Sequence, residues 1–265
     1  FENFNADQAS IINYKGDYIS IRNSKFLNSR ANATGGAMII KFFALNNPTP
    51  YYTSDSIIEN CQFINLSSTS NGGAIHLDMD SGTQRVYPNL TVKDSNFANC
   101  KSKFGGAISI LGGNVNITSS NFTANNAQKG GAIYYAYYVG TLNGVDFKRN
   151  SAVDGGAIYL DGVEGEIKLN KFMNNTASAN GGAVFLDKCE HGNKNTTFTN
   201  VYFENNVAGT NGGAIDWHEG AEDGHLLYAV FEQNTAKRSG GAIYWNGKNG
   251  EIKHSSFKCC NGYCY

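Results

Sequence analysis

Short apolar runs alternate with polar residues along the whole chain, and the runs themselves recur. Gly-Gly-Ala occurs eight times, starting at Gly35, Gly72, Gly105, Gly130, Gly155, Gly181, Gly212 and Gly240. The residue after each Ala is apolar (Met38, Ile75, Ile108, Ile133, Ile158, Val184, Ile215, Ile243), and so is the one two further on, from Ile40 and Leu77 to Trp217 and Trp245. A Phe precedes each Gly-Gly-Ala by eight or nine residues: Phe26, Phe63, Phe97, Phe122, Phe147, Phe172, Phe203 and Phe231. Phe4 and Phe257 extend that series. A third apolar station, such as Ile58, Ile117 or Ile167, lies five residues before a Phe. Period-two alternation is the mark of a strand with one buried face, and no segment shows a useful helical period.

The spacing of the Phe residues falls to 25 where the repeat is most compact. Three short strands per 25 residues, separated by Gly, Asn, Asp and Ser, make one coil. One coil cannot bury its apolar edge, but stacked coils can, like residue over like. The pattern therefore predicts an all-β fold: a right-handed, single-stranded parallel β-helix (a solenoid) of about ten coils, forming one domain over 1–265. An antiparallel sandwich would not produce so regular a period. Gly-Gly suits a corner where backbones approach closely or φ is positive, and Asn after Phe suits a left-handed turn. Loop insertions are expected near 41–56, 78–88, 187–196 and 218–224.

Composition narrows the role. Hydrophobic residues are 41% and aromatic residues 12%, enough to build a core. Net charge is −1, so no basic excess draws nucleic acid or an anionic membrane over distance. No apolar run reaches the roughly 18 residues of a membrane helix, so membrane insertion by this segment is not expected. A chain opening at Phe1 with no signal peptide reads as a mature form or an excised piece.

The paired motif Gly-Gly-Ala-Ile and Phe-x-x-Asn resembles the repeat of chlamydial polymorphic outer membrane proteins, and is similar to that of adhesin-like surface proteins of methanogenic archaea. Phe-x-x-Asn is intact at Phe122–Asn125, Phe147–Asn150, Phe172–Asn175, Phe203–Asn206 and Phe231–Asn234. Ser29, Leu66, Cys100 and Cys260 interrupt it elsewhere. The resemblance implies a secreted or surface-displayed passenger used in adhesion.

Candidate chemistry lies in residues expected to face outward. The position two after each Ala holds Tyr134, Tyr159 and Phe185 on successive coils, an aromatic column suited to a sugar ring, a partner protein or a folded-down loop. Two further on come Asp161, Asp187 and His218, a spacing that would allow two carboxylates to share acid and base roles in glycoside hydrolysis. Strand-end Asp residues are more often turn formers, and Lys and Arg are scarce in these columns, so a catalytic site is not the expectation. The 41–56 insertion adds Phe42, Phe43, Tyr51 and Tyr52 as ligand-contact candidates.

Six cysteines (Cys61, Cys100, Cys189, Cys259, Cys260 and Cys264) suit disulfides in an extracellular protein, Cys260 with Cys264 among the pairings open. With His254 the last three fit no zinc spacing, so no metal is expected, and no cofactor is implied. Asn-x-Ser/Thr at Asn32, Asn65, Asn89, Asn116, Asn121, Asn174 and Asn195 permits N-glycosylation. The reading that follows is a non-enzymatic extracellular adhesin or adhesin-like module whose partner is a glycan or a surface protein of another cell. Two others stand beside it. One is a filament or sheath of copies stacked end to end through open strand edges. The other is a polysaccharide hydrolase using Asp161 and Asp187.

Overall fold

The computed structural model describes residues 1–16, 18–42, 55–79, 89–136, 139–162, 164–187 and 193–262. One coil shows the plan. Ile158–Asp161, Glu164–Lys168, Lys171–Met173 and Thr176–Ala177 follow one another, and Val184–Asp187 then begins the next coil. All pairing between coils is parallel and in register, for example Ile158↔Val184, Leu160↔Leu186 and Phe172↔Phe203. Three nine-stranded sheets run the length of the rod. The predicted parallel β-helix is the observed fold, with one addition: a fourth strand of two residues, such as Arg30–Ala31 or Ser151–Ala152, after most Phe corners, reduced to single bridges at Lys101 and Asn126.

The core is a set of like-on-like columns. The Phe rings stack from Phe26 to Phe257 with centroids 4.7–5.1 Å apart, which is the strand spacing itself. At the first coil the stack is continued by Phe1, 5.1 Å from Phe26, and not by Phe4, which is left exposed. The bridge Glu2↔Leu27 sets that register and turns Phe4 out of the column.

Corners are made by residues in the left-handed region, predominantly Asn: Asn23, Asn60 and Asn200 in one column, Asn28, Asn65, Asn99, Asn174 and Asn205 in another. The two glycines of Gly-Gly do different jobs. Gly155 has φ +64°, whereas Gly156 has an ordinary φ but lies so close to the Gly182 carbonyl oxygen that a Cβ would overlap it.

The Asn of Phe-x-x-Asn points inward. Asn125, Asn150, Asn175, Asn206 and Asn234 are fully or almost fully buried. Each is tied to its neighbours: the backbone N–H and side-chain amide of Asn150 both donate to Asn175 Oδ1 at 3.0 Å, and Asn175 Nδ2 donates to the Phe147 carbonyl. The ladder satisfies backbone groups that a tight corner inside the core would otherwise orphan.

Most of three expected insertions, at 43–54, 80–88 and 188–192, lies outside the described residues. At the fourth, Ala221–Glu222 pairs in parallel with Asn193–Lys194.

Candidate functional site

The column two residues after each Ala points away from the core, yet it is covered. Tyr159 and Phe185 keep only 2% and 5% of their surface, and Tyr134 is half-buried. The expected exposed aromatic platform is therefore absent there. At two coils the residue before Gly-Gly folds across the corner onto the outward residue of the next coil. Phe104 packs on Tyr134 with centroids 5.3 Å apart. Lys129 lies 4.3 Å from the centre of the Tyr159 ring and bonds its hydroxyl at 2.7 Å. The tyrosines still contact one another and Phe185, at 5.5 and 5.0 Å, but as packing inside the wall. Phe42 is likewise a buried strand residue, against Tyr14. Phe43, Tyr51 and Tyr52 lie outside the described residues.

The carboxylates stand in register, Asp161 beside Asp187, and both are engaged by the wall. Asp161 accepts a hydrogen bond from the Tyr134 hydroxyl at 2.9 Å. Asp187 accepts one from the Tyr159 hydroxyl and lies 3.8 Å from Lys129 Nζ. Burial, then Asp187, push the Tyr159 phenol upward, which keeps it a donor. His218 packs its ring on Phe185 at 5.4 Å.

The same column contains a buried acid that the repeat pattern does not flag. Asp216 is wholly buried and neither carboxylate oxygen has a hydrogen-bond partner. Burial raises its carboxyl to about 7, with Asp154 and Asp187 adding repulsion, and His218 Nδ1 stands 3.6 Å away. The folded state therefore holds a proton here up to about pH 7, whereas the unfolded chain releases it near 3.8. Stability falls as pH rises through that window and levels off above it. Asp216→Asn is expected to flatten this slope and to stabilise the protein above pH 7 by about 1–3 kcal/mol. The gain stays below the full ~4 kcal/mol of such a shift because the amide is also buried without a partner. Urea unfolding at pH 5 and pH 8 reads it. An equal wild-type-to-variant difference at both values would show that Asp216 does not titrate. Higher in the column, burial pushes His76 down to about 4, so it sits neutral above that.

An open cleft lies on a different face, beside the short fourth strands. It has a volume of about 500 Å³ and crosses four coils. One wall is the register column Arg30, Ser67, Lys101, Asn126, running parallel coil to coil. Thr69, Lys103 and Gln128, two residues further on in their coils, line the other. Between them lie the small buried residues Ser68, Ser102 and Ala127, and these leave the hollow open. A sequence signal for it existed, since Arg30, Ser67, Lys101 and Asn126 each fall four residues after a column Phe.

The described cysteines form no disulfide. Cys61 and Cys100 are buried thiols, Cys259 is exposed and Cys260 half-buried. Burial raises Cys100 to about 12. Cys100 stands in the Asn column, where its backbone N–H donates to Asn125 Oδ1. Cys189 and Cys264 lie outside the described residues, as does any pairing through them. His254 stacks on the exposed Tyr228 at 4.9 Å. Asn32, Asn65, Asn121, Asn174 and Asn195 are exposed, and Asn89 and Asn116 half-buried.

Stacked in-register coils with Phe, Asn and Gly-Gly columns define a parallel β-helix repeat protein. The Chlamydia polymorphic membrane protein repeat matches three stretches, 171–187, 200–216 and 229–244. Each runs from a Phe strand through its buried Asn and Gly-Gly-Ala to the next strand, so the match falls on the residues that build the coil. Three of the coils are thus similar to the repeat of Chlamydia polymorphic membrane proteins. No curated protein and no solved structure matches the chain.

Proposed function

We propose that the chain is a non-enzymatic adhesin-like module that works outside the cell and holds a glycan against the side of its rod. The observation that carries this reading is the cleft across four coils, open and lined by hydroxyl, amide and cationic side chains. Such groups pair with sugar hydroxyls, and a rigid rod holds them pre-organised so that binding costs little ordering. The match of three coils to a membrane-protein repeat supports a surface setting. The internal bonds of Asp161 and Asp187 favour binding over hydrolysis, since each carboxylate already serves a tyrosine of the wall.

The test is the purified chain on an array of immobilised glycans, with sugar release followed in the same samples. Saturable binding without release is expected. Release abolished by Asp187→Asn would replace this reading with the hydrolase.

A further inference from the structure

We infer that the cleft is a site for an acidic glycan, one carrying carboxylate or sulfate groups along its length. This rests on the glycan-binding reading above and names its ligand class. Three cations meet in the cleft: Arg30, Lys101 and Lys103. Several lysines elsewhere on the rod sit beside carboxylates: Lys41 is 2.7 Å from Asp78, Lys93 3.4 Å from Glu59, Lys168 2.8 Å from Glu166. Among the described residues no carboxylate pairs with Arg30, Lys101 or Lys103. Nor does Asp or Glu line the cleft. In a chain of net charge −1, three unneutralised cations in one hollow form a local positive field that its shape focuses.

Their placement follows the coil repeat. Arg30 pairs in register with Ser67, and Ser67 with Lys101. Arg30 and Lys101 are thus two coils apart, roughly 10 Å at the strand spacing. The cleft spans roughly 15 Å across its four coils on the same arithmetic, a length suited to a short stretch of extended chain and not to one isolated ion. Cations at its two sides can meet anionic substituents on successive sugar units, while Thr69, Asn126 and Gln128 offer partners for the hydroxyls between them.

The lining also separates an acidic glycan from a nucleic acid. Single-stranded nucleic acids are held by aromatic platforms on which bases stack, and no aromatic side chain lines this cleft. In the next coil the same columns carry no charge: Ser151 follows Asn126 in register, and Val153 stands exposed. The acid-binding segment is confined to the N-terminal half of the rod.

The experiment measures binding of the whole chain to four immobilised probes: a sulfated glycosaminoglycan, a polyuronate, a neutral glucan and a single-stranded DNA. Wild type is compared with a variant carrying Arg30→Gln, Lys101→Gln and Lys103→Gln. All three side chains are exposed, so the fold should survive, and a matching thermal transition verifies it. At least tenfold weaker binding of the variant to the sulfated chain or the polyuronate is expected, with wild-type binding falling steeply as salt rises. The sulfated and carboxylated probes tell the two anionic groups apart. Equal binding of wild type and variant to the acidic probes would overturn the site. Binding only to the neutral glucan would overturn the acidic class and leave the glycan-binding reading standing. Preference for DNA would reassign the cleft to nucleic acid, and binding to none of the glycans would remove both readings.

Discussion

Gly156→Ala is expected to cost more than about 4 kcal/mol, the exceptional end of the range for one substitution. Gly144→Ala should cost only about 1–2 kcal/mol. The contrast isolates two reasons for glycine. Gly144 has φ +65° and open space around it, so an added methyl meets only the intrinsic penalty of the left-handed region. Gly156 needs no unusual φ, but its missing Cβ is where the Gly182 carbonyl oxygen sits, with the Thr176 backbone on the other side. The obstacles are all main chain, held by the parallel ladder between coils, so no side-chain rotation relieves the overlap. Successive coils would have to separate, opening the core beside Ile158 and Phe172. Denaturant titration with two probes is the measurement, because a stacked array can lose cooperativity locally. Similar costs for the two variants would show that the close approach of coils does not hold.

The second large effect is expected at Asn175. Its side chain accepts from the Asn150 backbone N–H and amide, and donates to the Phe147 carbonyl and to Asn206 Oδ1. Asn175→Ala leaves at least two buried groups without partners, at about 1–3 kcal/mol each. A loss of roughly 3–5 kcal/mol is expected on that basis. Asn126→Ala is the control: its exposed amide bonds Ser151 at 2.8 Å, and its removal should change stability by less than about 0.5 kcal/mol. Chemical denaturation of both variants separates a structural ladder from a surface Asn preference. An Asn175→Ala protein as stable as the Asn126→Ala protein would sink the ladder argument. The column tolerates other residues outside the Asn run, Cys100 and Cys260 among them, where the thiol can donate to a carbonyl of the preceding coil.

The fold was legible because a parallel β-helix writes its contacts into its period. Phe122, Phe147 and Phe172 are 25 residues apart, and each stacks on the next. In such a fold, equal spacing along the chain becomes vertical contact, so the spacing alone reveals the columns. The Gly-Gly corner was legible for the same reason, as a residue type demanded by backbone geometry, whereas the Asn of Phe-x-x-Asn is not the left-handed residue: the one before it is, Asn174 before Asn175, and Asn175 is buried in a hydrogen-bond ladder instead. The cation column is legible likewise, by counting four residues from each Phe to Arg30 and Lys101.

Exposure was not legible. Alternation says which face of a strand a residue occupies, not whether water reaches that face. Tyr159 and Phe185 point out of the core and are buried, because the chain before Gly-Gly crosses the corner and sets Lys129 on the Tyr159 ring. That path depends on the three-dimensional turn at the corner, and no periodicity encodes it. Asp216 in the same column is also buried with its carboxylate left without a partner, and the path of the chain after the Phe corner hollows the cleft beside Lys101 and Lys103. The sequence by itself determined the coil, the register and the columns, since these follow from repeated spacing. Only the tertiary structure decided which columns meet solvent, since that depends on what each corner folds across.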